Sequence, residues 1–313
     1  NNTSSATDTY PVGTTTVTFT VTDGVGNQAT CSITVTITED EAPIVTCPPA
    51  PADLVADAAC GALVPDLVAN TAVTDNCTSP ANMTIVQVPA AGTTISLGVT
   101  TVTVTATDEA GNATSCTVDL TVVDMTDPSL TCPTTPADIV ADVNCEGLVP
   151  DLVALALVSD NCSAVGDINL VQSPAAGTTI GLGSTVVTLT ATDEASNVTD
   201  CTVTVTVVDG TDPTMTCPAD VTQSTDFGAC TAFVTIANPV VNDNCGPTTI
   251  VNDYNNTSSA TDTYPVGTTT VTFTVTDGVG NQATCSITVT ITEDEAPFVT
   301  CPPAPADLVA DAA

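Results

Sequence analysis

What most constrains this chain is that it repeats itself. Gly13, Gly98, Gly183 and Gly267 each open a run rich in Thr and Val. Ten residues on stands an Asp (Asp23, Asp108, Asp193, Asp277), and four further an Asn (Asn27, Asn112, Asn197, Asn281). Four further comes a Cys (Cys31, Cys116, Cys201, Cys285). Sixteen residues later follows the Cys of a Cys-Pro pair, at Cys47, Cys132, Cys217 and Cys301. The copies are spaced 85, 85 and 84 residues apart. A fixed period of this length marks an array of one supersecondary unit whose copies stack on their neighbours.

The period divides the chain into residues 1–42, the closing part of one repeat, full repeats at 43–126, 127–211 and 212–296, and the start of another at 297–313. Residues 1–59 match 255–313 except that Ile44 is Phe298 in the second copy. The expectation is one stretch of a longer, near-periodic polypeptide, cut inside a repeat at both ends. No leader and no apolar run long enough to span a membrane is visible in these residues.

Within a repeat the apolar period is two. Val17, Phe19 and Val21 alternate with Thr16, Thr18, Thr20 and Thr22; Asp23-Gly-Val-Gly-Asn27 turns the chain; Cys31, Ile33, Val35 and Ile37 then alternate with Ser and Thr. That is a hairpin with one apolar face and one Thr face. Each full repeat adds short strands at its start and around 60–72 and 83–97 in repeat numbering of the first copy, with turns every ten residues or so. About seven short strands in 85 residues predict an all-β fold, a tandem array of immunoglobulin-like sandwiches. The two middle repeats contain no aromatic residue, so a core of Val, Leu, Ile and Ala is thin and needs covalent help.

The charge is one-sided. There are 36 Asp and Glu and no Lys, Arg or His, for a formal net charge of −36. No salt bridge between side chains can form within the chain. Every carboxylate must be met by water, a backbone N–H, a hydroxyl or amide, or a cation from solution. Phosphate recognition needs basic side chains, so nucleic acid and anionic membrane surfaces are poor partners. The chain also lacks the usual bases, so catalysis is not expected. Fourteen Cys at fixed places in short repeats predict a disulfide framework formed in an oxidising, extracellular compartment. Zinc is disfavoured by the absence of His and of Cys-x-x-Cys.

TYPVGTTTVTFTVTDGVGNQATCSITVTI (9–37), CPADV (217–221) and NDNC (242–245) together resemble the hyalin repeat, or HYR domain. The resemblance implies an immunoglobulin-like β-sandwich of extracellular proteins, used in tandem in very large surface adhesins of bacteria, including those of Bacteroidota. It carries no catalytic residues. This sequence departs from the family at TISLG (94–98) and TIGLG (179–183), where an aromatic-Pro-Val-Gly is usual, and at Asn197, which follows Ser196 rather than Gly.

Each full repeat holds four Cys, which allow three pairings. The first and fourth start strands that would run side by side as the first and last of a sandwich, which gives Cys47–Cys116, Cys132–Cys201 and Cys217–Cys285. Exclusion then gives Cys60–Cys77, Cys145–Cys162 and Cys230–Cys245, and leaves Cys31 and Cys301 to partners outside the sequence. The rival is Cys47–Cys60 with Cys77–Cys116. Closing the 69 residues between Cys47 and Cys116 is worth about 4 kcal/mol on the chain-entropy account.

Carboxylates gather where one repeat meets the next: Glu39, Asp40 and Glu41; Asp124 and Asp127; Asp209 and Asp212; Glu293, Asp294 and Glu295. Asp108 and Asp193 add to them from hairpin tips. Oxygen-only clusters suit calcium, which extracellular modules bind weakly; solvated turn carboxylates are the plainer reading. The expected role is mechanical, the stalk of an exported filament or giant adhesin, with neighbouring repeats of the same chain and identical chains in a filament as the expected partners. The alternatives are a glycan-binding face on the Thr rows (Thr101, Thr103, Thr105, Thr107) and lateral association through strand edges.

Overall fold

The computed structural model describes residues 4–297 and 299–304. Residues 1–3, Phe298 and 305–313 lie outside the described residues, and with them most of the expected repeat start at 297–313. The chain divides into two compact units, one of residues 1–131, 157–170 and 190–200, the other of 132–156, 171–189 and 201–313.

The first unit holds the opening hairpin and the first full repeat. The hairpin pairs Gly13–Thr22 with Gln28–Ile37, placing Phe19 opposite Cys31. In the repeat, a four-stranded sheet runs in the order Leu54–Val55, Ala113–Val123, Gly98–Thr107, Thr84–Val88. The short Leu54–Val55 strand lies parallel to the last strand, and the other pairings are antiparallel. Two small ladders complete the sandwich: Ile44–Thr46 with Ala72–Thr74, and Gly61–Leu63 with Thr94–Ser96. The architecture is all-β, built from immunoglobulin-like sandwich repeats; the described helices are single 3-10 turns such as Val68–Asn70. Among the described residues no helix is long and apolar enough to cross a membrane.

Alternation decides which face is buried. Val102, Val104 and Ala106 are fully buried, and Val118, Leu120 and Val122 meet them from the partner strand. Val102, Val104, Val118, Leu120 and Val122, with Val64, Leu67 and Ile95, form the core against which Cys47 and Cys116 pack. The intervening Thr face is held together across the hairpin: Thr101 Oγ1 donates to Asp119 Oδ1 at 2.6 Å, and Thr105 Oγ1 lies 2.8 Å from Ser115 Oγ. One polar side chain is buried on purpose. Gln87 accepts the Leu67 N–H at 2.8 Å and donates to the carbonyls of Pro65 and Pro89 at 3.0 and 3.2 Å. It partners three backbone groups, two at Pro65 and Leu67 and one at Pro89 just beyond its own strand. Gln172 makes the equivalent bonds to Leu152, Pro150 and Pro174 in the second unit.

The second unit holds the last full repeat, with the sheet order Val221–Ser224, Gln282–Thr292, Gly267–Thr276, Thr249–Asn252. Its core is richer: Tyr264, Phe273 and Val289 are fully buried. Tyr264 stacks on Tyr254 with ring centroids 4.2 Å apart and donates its hydroxyl to the Ala260 carbonyl at 2.6 Å. Burial, then the neighbouring Tyr254, Asp262 and Asp253, push the Tyr264 phenol up to about 12.

Candidate functional sites at the repeat joints

Each joint is assembled from three local structures that the repeat motif dictates. The first is the hairpin tip. Asp193 Oδ1 accepts the Asn197 N–H at 2.7 Å and its Oδ2 accepts Asn197 Nδ2 at 2.8 Å, which locks the Asp-to-Asn turn. The turn needs a left-handed residue before the Asn. Gly supplies it at the other tips, with φ +95° at Gly111, whereas Ser196 is forced to φ +74°. The second is the Asp-Asn-Cys turn, in which Asp160 Oδ2 accepts the N–H groups of Cys162 and Ser163, both at 2.8 Å. The third is the chain leaving the preceding repeat, where Asp124 Oδ1 accepts the Thr126 N–H at 3.1 Å.

Hydrogen bonds dock these parts together. Ser163 Oγ accepts the Glu194 N–H at 3.1 Å, fixing the tip on the turn. Asn197 Nδ2 reaches the Asp124 carbonyl at 3.4 Å, fixing the tip on the preceding repeat. The same construction recurs in the second unit, where Asn281 Nδ2 donates to Asp277 Oδ2 at 2.8 Å and to the Asp209 carbonyl at 3.3 Å.

Two carboxylate triads result. Oxygens of Asp124, Asp160 and Asp193 lie within 4.8 Å of one another, and so do oxygens of Asp209, Asp243 and Asp277. Asp124, Asp193, Asp209 and Asp277 are buried and the other two half-buried. Asp124 Oδ2, Asp160 Oδ1, Asp209 Oδ2 and Asp243 Oδ1 are shielded from solvent and have no hydrogen-bond partner. Two unit charges at that distance repel by about 3 kcal/mol at an effective dielectric of about 20. Burial pushes Asp277 up, but the N–H of Val279, the Asn281 amide and the N–H groups of Gly280 and Asn281 outweigh it and hold the carboxyl below its ordinary value. Asp108 behaves alike, with Asn112 the chief counterweight to burial.

The other expected acidic residues sit elsewhere. Asp127 and Asp212 are exposed, as are Asp40 and Glu41. At the first joint Glu39 stands where Asp124 stands at the next; its carboxylate accepts the Glu41 N–H at 2.9 Å. Hydrogen bonding to Glu39, then burial and the carboxylates around it, push the nearby Cys77 thiol up to about 11. Glu293 accepts the Glu295 N–H, Asp294 accepts the Ser224 hydroxyl, and Glu295 accepts the Gly228 N–H at 3.0 Å. Sequence reasoning missed Asp160, Asp243 and Asp277. The signal was present in the recurring Asp-Asn-Cys and in the Asp of every hairpin tip, but the former reads equally well as turn chemistry alone.

Two of the five disulfides cross from one repeat to the next. Cys47–Cys116, Cys132–Cys201 and Cys217–Cys285 close individual repeats, with Cα separations of 5.8, 6.0 and 5.8 Å. The pairing reached by exclusion is corrected. Cys60 bonds Cys162 instead of Cys77, and Cys145 bonds Cys245 instead of Cys162, each with Cα atoms 4.9 Å apart. Cys230 does not pair with Cys245; Cys77, Cys230, Cys31 and Cys301 are free and exposed. The cause is backbone conformation. Cys60 and Cys145 sit at φ +59° and +65° on turns pinned by Asp57 and Asp142. That geometry presents the thiol to the next repeat, whose Asn161 or Asn244 amide donates to the Asp57 or Asp142 carbonyl at 3.0 Å.

A family model for the HYR domain matches residues 1–37, 40–122 and 208–291, well over half of the sequence. The chain belongs to the HYR domain family. Hyalin of Lytechinus variegatus is 32% identical over 306 residues, covering 94% of this chain and 56% of the relative. Hyalin of Strongylocentrotus purpuratus is 33% identical over 313 residues, covering 96% of this chain and 25% of the relative. The chain thus spans about half the length of one curated relative and a quarter of the other. Solved structures similar to these HYR repeats include protocadherin gamma B2 extracellular cadherin domains 1–5, with 13% identity, a TM-score of 0.38, and 91% and 74% of the two chains covered. A segment of mouse cadherin-23 gives 15% identity and a TM-score of 0.35 over 82% of this chain and all of that one. Disulfide-closed HYR repeats of this kind are extracellular structural or adhesive modules.

Proposed function

We propose that this segment is load-bearing shaft, part of an exported surface filament or very large adhesin of the bacterial type, and that it performs no catalysis. The observation that carries the reading is the pair of disulfides Cys60–Cys162 and Cys145–Cys245, which staple each repeat to its successor. A repeat that only had to fold would need Cys47–Cys116 and its equivalents. A bond across the joint adds nothing to a single sandwich, but it keeps force from reaching the residues it encloses. The lack of any Lys, Arg or His leaves carboxylates without the partner bases and oxyanion donors that most hydrolytic and transfer chemistry requires.

Pulling single molecules by their ends tests this. With disulfides intact, the chain should resist and release little length, because the taut path crosses Cys60–Cys162, runs back along 161–146 and crosses Cys145–Cys245, leaving 61–144 and 163–244 shunted. Reduction should release those segments. Identical force–extension curves before and after reduction, or saturable binding of a surface glycan by the oxidised segment, would contradict a purely mechanical role.

A further inference from the structure

We infer that two of the repeat joints are each a binding site for one hard divalent cation of the calcium class, held by Asp124, Asp160 and Asp193 at one joint and by Asp209, Asp243 and Asp277 at the next. Three observations converge on it. The oxygens of each triad lie within 4.8 Å of one another although they come from three separate segments. Asp124 and Asp209 are each only 8% exposed, and each keeps an oxygen with no donor and no access to water. Asp160 and Asp243, the half-buried members of their triads, likewise each leave one oxygen unpartnered. The chain has no Lys, Arg or His to supply the missing positive charge. A buried carboxylate without a partner is costly, and nothing inside this protein can relieve it.

The donor set selects the ion. It is all oxygen, so zinc and copper, which favour nitrogen and sulfur, are poor candidates. The carboxylates are anchored on a strand end, a turn and a hairpin tip: Asp124 and Asp160 each have one oxygen used by backbone N–H groups, and both oxygens of Asp193 accept from Asn197. Carboxylates fixed by three separate segments make no preset octahedron, which suits calcium better than magnesium. Filling the site ties the end of the strand Ala113–Val123 to the turn and hairpin tip of the following repeat, on the same Asp160 turn that carries Cys162 of the staple. At the joint where Glu39 replaces Asp, no such triad occurs among the described residues.

The oxidised, chelator-treated chain, titrated with calcium chloride by calorimetry and melted with and without the ion, decides the matter. Two equivalents should bind with dissociation constants of about 10⁻⁴–10⁻³ M, the range of extracellular modules, and raise the melting temperature. Asp160→Asn and Asp243→Asn should each remove one equivalent, and the double variant both. Because each substitution also removes like-charge repulsion, the double variant without calcium should melt no lower than the chelated parent, which separates lost binding from lost folding. No heat and no shift in melting temperature well above that range would overturn the proposal. So would two equivalents retained in the double variant, which is diffuse screening, or tighter binding of magnesium chloride in the parallel titration.

Discussion

Cys60 of the first full repeat is bonded to Cys162 of the second, across 102 residues of sequence, with Cα atoms 4.9 Å apart. Cys145 and Cys245 repeat the relationship one step on, across 100 residues. The second Cys of one repeat therefore meets the Asp-Asn-Cys of the next. The free Cys77 and Cys230 occupy these two positions at the outer ends of the series.

Replacing Cys60 and Cys162 together by Ser removes the staple and should destabilise the chain by about 2–4 kcal/mol, read as a lower midpoint in a denaturant titration. Cys77→Ser, which removes a thiol outside any disulfide, should leave the midpoint unchanged. A loss on Cys77→Ser would point to a Cys60–Cys77 bond.

Gln87→Leu keeps the volume and strips the partners from the Leu67 N–H and the Pro65 and Pro89 carbonyls. Leaving buried backbone groups unpaired should cost about 2–3 kcal/mol. Chemical denaturation of the variant measures it, and a neutral result would mean that water takes over these bonds.

At the hairpin tips the backbone favours glycine. Ser196 stands at φ +74° where other tips have Gly, so Ser196→Gly should stabilise by about 1 kcal/mol. Gly111→Ala should lose a similar amount. Nothing lies within 4 Å of a Cβ built at Gly111, so that loss is conformational and not a clash. Thermal melts of the two variants should move in opposite directions.

The last repeat should carry an alkaline transition. Tyr264 is fully buried and its folded-state value, about 12, lies above that of an exposed phenol. A raised value favours the protonated form, so its contribution is complete below about pH 10 and is lost as pH rises toward 12. Phenolate absorbance should rise for Tyr264 only together with loss of the sheet signal. Ionisation well before unfolding would contradict the buried assignment.

Much of this was legible in the chain. The Val/Thr alternation at 100–107 fixes which face of the strand is buried because the side-chain period of a strand is two. The first and fourth Cys of each repeat do pair, although not from side-by-side strands: Ile44–Thr46, just before Cys47, ladders with Ala72–Thr74, and Cys116 lies inside the strand Ala113–Val123. The staples were not legible, because exclusion assumes that bonds close within a repeat. Only the left-handed backbone at Cys60 and Cys145 turns those thiols outward, and Cys rarely advertises that conformation. The triads were half legible: Asp124, Asp193 and Asp209 stand out as joint residues, while Asp160 and Asp243 are disguised as turn formers. Gln87 carried no signal, since one Gln in a strand looks like any solvent-facing residue.

The claim that the repeats are covalently stapled is tested most directly by a non-reducing peptide map of the oxidised chain cut on the N-terminal side of Asp. The account predicts that peptide 57–65 is disulfide-linked to 160–166, and 142–150 to 243–252. Recovery of 57–65 linked to 75–107 would place the bond inside the repeat and contradict it.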